Sequence, residues 1–266
     1  MIRERLKRAL LAGLHARALR RPAGALARDA VFVCPHPDDE TLGCGGTIVQ
    51  KRRAGARCTI VYLTDGAKNG TFPPAELAAR RKAEALAAAA VLGVAAGAVL
   101  FLDYPDGALA RHEPDAVRRV AEMLATVPFD EAYVPYARDP HADHAAAARI
   151  ALAALRRIGR PAETFEYPVW LWYRWPFVPM RRTTPGGRVL DVALGALAAW
   201  RLRGFGAAVD VRDALDVKRA ALDQHVSQMR AGKAGDAARL LWQAGDGEWL
   251  ALFFHELELY RRSRAC

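Results

Sequence analysis

Short apolar runs alternate with helix-forming segments along the first two thirds of this chain. The apolar runs predict buried strands at residues 30–34, 57–63, 98–102, 129–134 and 163–167. Alanine-rich or amphipathic segments predict helices at residues 41–53, 76–92, 113–125 and 145–157. Because strands that alternate with helices form parallel βαβ units, we expect an α/β fold. Its mostly parallel central sheet would be covered by helices on both faces.

Residues 168–266 follow a less regular pattern. Aromatic side chains crowd residues 167–177, which predicts a partly buried strand, with stacking on sugar rings as the alternative role. Beyond them we predict further helices at 190–202, 213–229 and 250–261, and a late strand at 207–211. The chain 1–266 is expected to form a single domain, with a basic helical segment at 1–28 and the aromatic-rich part at 168–266.

Polar loops follow four of the predicted strands, at residues 35–46, 64–74, 103–112 and 135–144. The carboxyl ends of parallel strands meet at one edge of a sheet, and ligands of open α/β sheets bind beyond that edge. We therefore expect these four loops to converge on one site.

The first and last of these loops are rich in side chains that bind metals. They contain His36, Asp38, Asp39, Glu40, His141, Asp143 and His144. Two histidines and one carboxylate leave one position of a zinc ion open for water, which is the arrangement of a catalytic site. Zinc lowers the pKa of that water to ~7, and a spare carboxylate beside it can take the proton. A further histidine can stabilise the oxyanion.

This chain resembles the PIG-L/LmbE-like zinc deacetylases in two metal motifs. They are Pro35-His36-Pro37-Asp38-Asp39-Glu40 and His141-Ala142-Asp143-His144. The resemblance continues at Thr64-Asp65-Gly66, at Arg81 with Glu84, and at residues 102–107. It weakens after residue 167 and returns at Lys218 and at residues 225–228. It implies a Rossmann-like three-layer sandwich and the removal of N-acetyl groups from glucosamine-containing substrates.

The resemblance also implies a role for each matching residue. It assigns three zinc ligands, His36, Asp39 and His144, a general base, Asp38, and a carbonyl-polarising histidine, His141, oriented by Asp143. One zinc ion per chain is expected, with another divalent transition metal as the alternative. Ala142 stands where the family usually has proline, and Pro35 where it commonly has alanine, so both departures change the backbone and remove no chemical group.

Three other side chains are candidates for substrate contacts, namely Arg81, Asp103 and Asp106. For Arg81 we favour the alternative of a salt bridge to Glu84, three residues along the same helix. The two aspartates alternatively form a turn, and Asp143 alternatively caps the helix that follows it. Glu40 is expected to support its loop through hydrogen bonds and not to bind the metal.

The net charge of +10 is concentrated at the ends of the chain. Residues 1–30 hold seven arginines and one lysine against Glu4 and Asp29, and three further arginines follow Tyr260. A near-neutral body argues against a groove for nucleic acid, so no such partner is expected. The amphipathic N-terminal segment 1–21 is expected to pack on its own domain, with contact to an anionic membrane surface as the alternative.

The cysteines show no paired spacing, which predicts that their thiols are reduced. Reduced thiols indicate a cytoplasmic protein, and the alternative location is the inner face of a membrane. Residues 85–102 contain no charge, yet they divide into a helix, a stop at Gly93 and a strand, so no membrane span is predicted.

These observations predict a zinc-dependent hydrolase that removes an N-acetyl group from a small-molecule amino sugar or an amino-sugar glycoconjugate, lipid-linked sugars included. Two alternatives accompany this prediction. One is a zinc amidase that acts on another N-acyl natural product, and the other is a non-catalytic binding module on the same fold. No oligomeric state is predicted.

Overall fold

The structure, a computed structural model, describes residues 1–68, 72–230 and 241–264. Its strands are β1 (Leu19–Arg20), β2 (Ala30–Cys34), β3 (Cys58–Thr64), β4 (Val99–Tyr104), β5 (Glu131–Pro135), β6 (Glu163–Tyr167), β7 (Ala207–Asp210) and β8 (Leu257–Arg264). They form one eight-stranded sheet in the order β1-β7-β8-β6-β5-β2-β3-β4. Neighbouring strands pair in parallel except at β8, which runs antiparallel to both β6 and β7. The predicted α/β fold with a mostly parallel sheet is confirmed.

Helices connect these strands. They are α1 (Ile2–Arg17), α2 (Ala23–Leu26), α3 (Asp39–Arg53), α4 (Pro74–Val91), α5 (Glu113–Thr126), α6 (Ala142–Ile158), α7 (Pro185–Leu202), α8 (Leu215–Leu222), α9 (Val226–Met229) and α10 (Glu248–Ala251). Single 3₁₀ turns lie at Ala96–Ala98, Leu109–His112, Trp170–Trp172, Arg212–Ala214 and Leu252–Phe254.

Alternate side chains of β2 enter the two halves of the hydrophobic core. Val31 and Val33 belong to the cluster that contains Val120 of α5 and Ile150 of α6. Phe32 belongs to the cluster on the other face, with residues of α1, α3, α4, α7 and α8. All of these β2 side chains are fully buried, because helices cover both faces of the sheet as the apolar run predicted.

Gly43 allows α3 to lie close against the sheet. A Cβ atom at this position would come within 2.3 Å of the Tyr167 ring at the end of β6. A Cβ at Gly46 would come within 2.5 Å of Val211, which follows β7. The glycines after the acidic loop therefore serve close packing, and no phosphate-binding loop is needed to explain them.

The uncharged run at residues 85–102 divides as predicted. Helix α4 ends at Val91, Gly93 has a φ of +81° and β4 begins at Val99. Within the described part of the chain, every helix is too short or too polar to cross a membrane.

The predicted helix at 250–261 is wrong, because residues 257–264 form the strand β8. Leucine, glutamate and arginine make up most of this segment and favour helices in isolation. The alternation Glu256-Leu257-Glu258-Leu259 is typical of a strand and was the signal that the helix prediction overlooked. Leu257, Glu258 and Leu259 are buried and lie in the part of β8 that pairs with β7, while residues 261–264 pair with β6. This pairing overrides the local preference for a helix.

Two other predictions for the C-terminal part are also wrong. Residues 213–229 do not form one helix, because His225 has a φ of −77° and a ψ of 59° and separates α8 from α9. The aromatic residues after Tyr167 form a 3₁₀ turn at Trp170–Trp172 instead of a strand. Strand β1 and helix α2, which connect α1 to the sheet, were not predicted.

Helix α1 packs on its own domain, as predicted. Leu11 and Leu14 are buried in the core, and Arg3 and Lys7 both bond the Glu248 carboxylate at 2.8 Å. Ile2, an apolar residue at the start of the amphipathic segment 1–21, is exposed instead. The single-domain organisation of residues 1–266 stays a prediction.

Candidate metal centre

The two metal-rich loops meet where the order of the sheet reverses. From β2 the chain moves outward through β3 and β4, then returns to the other side of β2 to form β5. β2 and β5 are therefore adjacent parallel strands whose connections leave in opposite directions. This topological switch point is where open α/β sheets bind their ligands. The loop with His36 follows β2, and the loop with His141 follows β5.

His36, Asp39 and His144 form a compact, buried group of metal-binding side chains. One ligand atom from each lies within 4.8 Å of the others. The Asp39 Oδ2 atom is 3.2 Å from His36 Nδ1 and 3.4 Å from His144 Nε2. The three residues that the resemblance assigned as zinc ligands are thus brought together.

His144 has unused capacity for a ligand. Its side chain is fully buried, yet neither ring nitrogen has a hydrogen-bond partner among the residues that the structure describes. A buried polar group without a partner costs roughly 1–3 kcal/mol, so native structures rarely keep one without a reason. A metal ion would satisfy one of these two nitrogens, and the donor set of two histidines and one carboxylate suits zinc.

The ionisation states of His144 and Asp39 also fit metal binding. Burial lowers the pKa of His144 to about 3, so its imidazole is neutral. Burial opposes ionisation of Asp39, but the adjacent His144 and His36 outweigh it and lower the Asp39 pKa to about 2. Metals bind neutral imidazole and ionised carboxylate, which are the forms that His144 and Asp39 adopt. Burial opposes protonation of His36, but hydrogen bonds to Asp106, Asp143 and Asp39 outweigh it and raise the pKa of His36, so a metal would displace a proton from that imidazole on binding.

A second group with ligand atoms within 4.8 Å shares His36 and adds His141 and Asp143. Asp143 Oδ2 lies 3.3 Å from His36 Nε2 and accepts the backbone N–H of Gly107 at 2.6 Å. Its other oxygen accepts the N–H of Leu109. Asp143 therefore binds the loop after β4 and His36. It neither caps α6 nor forms a hydrogen bond to His141 within the described ranges, in contrast to both roles expected for it.

Asp38 is held in a backbone conformation that non-glycine residues rarely adopt, with a φ of 133° and a ψ of −27°. Its N–H donates to Glu40 Oε2 at 3.0 Å. Arg81 Nη2 donates to Asp38 Oδ2 at 2.9 Å and also to the Pro37 carbonyl. Such strain persists only where surrounding contacts over-determine it, and it clusters at functional sites.

The contacts of Arg81 correct the expected salt bridge to Glu84. The Arg81 guanidinium is buried and bonds Asp38, Pro37 and, at 2.7 Å, the Gly66 carbonyl. Glu84 instead accepts the backbone N–H and the hydroxyl of Ser227 at 2.8 and 2.7 Å. Arg81 thus joins three loop positions around Asp38. Burial raises the pKa of Asp38 to about 7, and the Arg81 charge opposes part of that rise.

Glu40 supports the metal loop, as predicted. It is fully buried, and its Oε1 lies 3.0 Å from Nε2 of the buried His225. His225 resembles a family position but had no assigned role in the sequence, and it connects the loop to the start of α9. Lys218, the other matching position, donates to the Leu42 carbonyl at 2.9 Å and to Glu258 at 2.7 Å.

His141 lies beside the buried ligand group and is only partly exposed. Its ring centroid is 5.0 Å from that of His144, and the Trp170 ring stacks on it at 5.8 Å. Its Nδ1 has no hydrogen-bond partner in the described part of the chain. Burial, followed by the neighbouring His36, lowers the pKa of His141. The aromatic stretch therefore contributes an indole that orients the His141 ring.

Sequence reasoning missed Asp139. This buried carboxylate accepts the backbone N–H groups of His141, Val169 and Trp170 at 3.0, 3.3 and 3.0 Å. It thereby joins the His141 loop to the aromatic turn, and burial raises its pKa to about 7. Its position two residues before His141 was the one available signal, and only the fold shows the contact with residues 169–170.

The two candidate substrate aspartates differ in position. Asp106 Oδ1 lies 3.2 Å from His36 Nε2, so this side chain belongs to the cluster. Asp103 lies on the surface, where it pairs with Lys82 at 3.1 Å. The structure therefore brings together eight of the nine residues to which the sequence analysis gave a metal, catalytic or substrate role, and Asp103, near the end of β4, is the exception.

Comparison with known proteins agrees with this site. Residues 31–155 match the family described as PIG-L, GlcNAc-PI de-N-acetylase, and the matched segment contains both metal loops. The resemblance read from the motifs is confirmed over this segment.

Two relatives carry names in keeping with the family. The chain is 29% identical over 250 residues to 1D-myo-inositol 2-acetamido-2-deoxy-alpha-D-glucopyranoside deacetylase of Mycobacterium sp. (strain KMS), with 79% of this chain and 77% of that protein aligned. It is 33% identical over 135 residues to diacetylchitobiose deacetylase of Thermococcus kodakarensis, with 48% of this chain and 49% of that protein aligned.

A solved structure shares the fold. N,N'-diacetylchitobiose deacetylase from Pyrococcus horikoshii superimposes with a TM-score of 0.62 over 90% of this chain and 84% of that chain, at 20% sequence identity. The three-layer α/β architecture expected from the resemblance is thereby confirmed.

Proposed function

We propose that this protein is a metal-dependent hydrolase that removes the N-acetyl group from an amino sugar or amino-sugar glycoconjugate. The products would be acetate and a free amine. The observation that carries the proposal is the buried, unpartnered His144 beside His36 and Asp39, with Asp38 held by Arg81 at the same sheet edge. The names of the relatives, all deacetylases of N-acetylated sugars, support the choice of reaction.

His36, Asp39 and His144 would hold the metal, one ion per chain. We prefer this set to the one with His141 and Asp143 because it is wholly buried and because His144 is otherwise unsatisfied. Zinc is the proposed ion, with another divalent transition metal as the alternative. When bound, it supplies a Lewis acid that polarises an acetamide carbonyl and lowers the pKa of water to ~7.

Asp38 is the proposed general base. Arg81 holds its Oδ2 atom, which leaves Oδ1 to accept a proton from the attacking water. A pKa of about 7 is close to the value at which a base works well near neutral pH. The oxygen of the water then bonds the acetamide carbon, the C–N bond breaks, and the proton on Asp38 passes to the leaving nitrogen.

His141 is the proposed donor to the carbonyl oxygen as that oxygen gains negative charge. Its neutral imidazole carries one N–H, and Trp170 fixes the plane of the ring. A donor already oriented towards developing charge is worth roughly 10²–10³-fold in rate. Asp143 would act indirectly, through its bonds to His36 and to the loop after β4.

We assign the substrate hydroxyls to Asp106 within the cluster; Asp103 pairs with Lys82 on the surface and is not part of the proposed site. Arg81 is buried and bonds Gly66, Pro37 and Asp38 through its two Nη atoms, so its proposed role is to position Asp38. A lipid-linked sugar stays within the proposed substrate class, and a cytoplasmic location rests on the three buried free thiols Cys34, Cys44 and Cys58. The fourth cysteine, Cys266, lies outside the described residues.

The test combines metal analysis with a substrate screen. The metal-loaded protein is incubated with N-acetylglucosamine, its inositol glycoside and diacetylchitobiose, and free amine is measured. We expect about one zinc per chain and amine release from at least one of these sugars. Asp38→Asn should keep the metal and lose turnover, whereas Asp115→Asn, an exposed control on α5, should change neither.

Protein that binds no divalent metal would contradict the proposal, and so would a fully active Asp38→Asn variant. Metal binding with cleavage of a larger N-acyl amide, and none of the acetylated sugars, would support the alternative zinc amidase.

A further inference from the structure

The outward side of α7 is apolar along its whole length. Asp191, Gly195, Ala198 and Leu202 face the core. The opposite side exposes Val189, Leu190, Val192, Ala193, Ala196, Leu197 and Trp200. Val189 is 70% exposed and Trp200 60% exposed, which is unusual for such large apolar side chains on one helix. A contiguous exposed patch of this kind marks an interaction surface.

Arginines surround this apolar side. Residues 181–203 contain Arg181, Arg182, Arg188, Arg201 and Arg203 against a single acid, Asp191. Asp191 is buried, and its carboxylate is engaged by the Arg182 guanidinium and the N–H groups of Arg181 and Arg182. The exposed charge around α7 is therefore positive.

Helix α1 lies beside α7 and extends the same surface. Ala9, Gly13 and Arg17 of α1 line a cleft together with Ala199 of α7 and Arg203 just beyond it. Arg5 and Arg8 of α1 are exposed. The one acid of α1, Glu4, is paired with Arg3.

We propose that this α1–α7 face docks on an anionic membrane surface, with the α7 side chains inserted at the boundary between headgroups and acyl chains. A helix with an apolar side, a tryptophan on that side and cationic flanks is suited to that position. Anionic headgroups complement the arginines, because the negative surface potential of such a membrane attracts basic side chains. The proposal does not depend on the enzymatic activity proposed above.

A second copy of the chain fits this surface less well. In a two-fold symmetric contact each subunit presents the same patch, so the arginines of one copy would face those of the other. Like charges at an interface are unfavourable, and nothing acidic on the described parts of α1 or α7 is free to compensate. The apolar α7 side distinguishes the surface from a phosphate-binding groove for nucleic acid.

Vesicle flotation tests the proposal with the full-length, metal-loaded protein. We expect binding to phosphatidylcholine vesicles that contain about 30% phosphatidylglycerol, and at least ~10-fold weaker binding to phosphatidylcholine alone. Raising the salt concentration from 0.05 to 0.5 M should weaken binding by a similar factor, at the order-of-magnitude level, because charge attraction is screened. Equal binding to both vesicles, or none to either, would overturn the proposal.

Variants then locate the surface. The double variant Val189→Ser, Trp200→Ser should lose about 10-fold or more of the affinity for anionic vesicles, because it removes apolar contact area. Val226→Ser, at a 42% exposed valine on α9, is the matched control and should bind like the parent protein. Unchanged binding by the double variant would overturn the proposal. So would light scattering that shows an oligomer in the parent and a monomer in the double variant, because a second copy would then cover α7.

Discussion

Two buried clusters of charged side chains lie at opposite ends of the parallel strands. One surrounds Glu131 at the start of β5, where Lys51 Nζ lies 2.7 Å from the carboxylate. The same ammonium donates to the carbonyls of Arg28 and Ala25 at 2.8 and 3.2 Å, which uses all three of its protons. The other is the metal centre beyond the carboxyl ends of β2 and β5.

The metal centre is also largely buried but far less satisfied. His144 has two ring nitrogens without partners among the described residues, His141 has one, and Asp38 keeps a strained backbone. Burial of charge alone therefore does not identify a functional site in this molecule. The distinction is that the Lys51–Glu131 pair completes its hydrogen bonds internally, whereas the metal centre leaves ligand positions for something that the chain does not supply.

The largest effect is expected at a metal ligand. Asp39→Asn removes the charged oxygen nearest both histidines, so tightly bound metal should be lost and activity should fall by about 10³-fold or more. Elemental analysis and the free-amine assay measure the two effects. Glu122→Gln, an exposed acid on α5, is the control. If Asp39→Asn still binds one metal per chain, we would conclude that the metal is held by His36, His141 and Asp143 instead.

The next largest effect should appear in stability and not in catalysis. Lys51→Met breaks the buried pair with Glu131 and should lower the free energy of unfolding by about 3 kcal/mol, at the low end for such pairs because Arg21 still contacts Glu131. Urea denaturation measures the loss, and the activity of the folded protein should be unchanged. If the free energy of unfolding fell by less than about 1 kcal/mol, the Lys51–Glu131 pair would not be an important source of stability, and the proposed difference from the metal centre would be wrong.

Arg81→Lys tests whether Arg81 positions Asp38. Lysine keeps the charge but cannot bond Asp38, Pro37 and Gly66 together, so kcat should fall by roughly 10–100-fold with bound metal and KM little changed. Arg80→Lys, on the exposed side of the same helix, is the matched control. A rise in KM at constant kcat would instead indicate that Arg81 contacts the substrate.

The smallest effect belongs to a surface pair that holds α1. Hydrogen bonding to Arg3 lowers the pKa of Glu248 to about 2, below its ordinary 4.5. Because the folded-state pKa is the lower one, the pair stabilises the protein above pH 4.5, and its contribution is lost as the pH falls towards 2. Partial exposure limits the contribution to less than about 1 kcal/mol.

Denaturation of the parent protein and Glu248→Gln at several pH values checks this contribution. The difference between them should be constant from pH 5 to 7 and shrink below about pH 4.5. A difference that grew in acid would show that the folded state does not lower the pKa of Glu248. The ionised carboxylate would then not be stabilised by Arg3 and Lys7.

Much of the parallel half of the fold was predictable because each element there has a strong local pattern. β2 is a continuous apolar run, and α4 combines alanine with a glycine stop at Gly93. The C-terminal part lacked such patterns. β8 is composed of residues that favour helices, and its strand conformation depends on pairing with β6 and β7.

The metal centre was predictable for a different reason. Histidine and aspartate packed into two short loops have few structural explanations, so His36, Asp39 and His144 stood out before their separation in space was known. The supporting contacts had no such signal. Arg81 could equally have paired with Glu84 on its own helix, and the bond to Asp38 depends on where α4 lies against the loop after β2.

The sequence by itself determined which residue types stand at the ends of the strands and how strands and helices alternate. These properties are local, since they follow from hydrophobic periodicity, turn residues and loop composition. Only the tertiary structure decided that β5 returns to the far side of β2, that Asp143 reaches His36, and that α7 exposes its apolar side. Those outcomes depend on contacts between residues far apart in the chain, where many pairings satisfy the same local pattern and packing selects one.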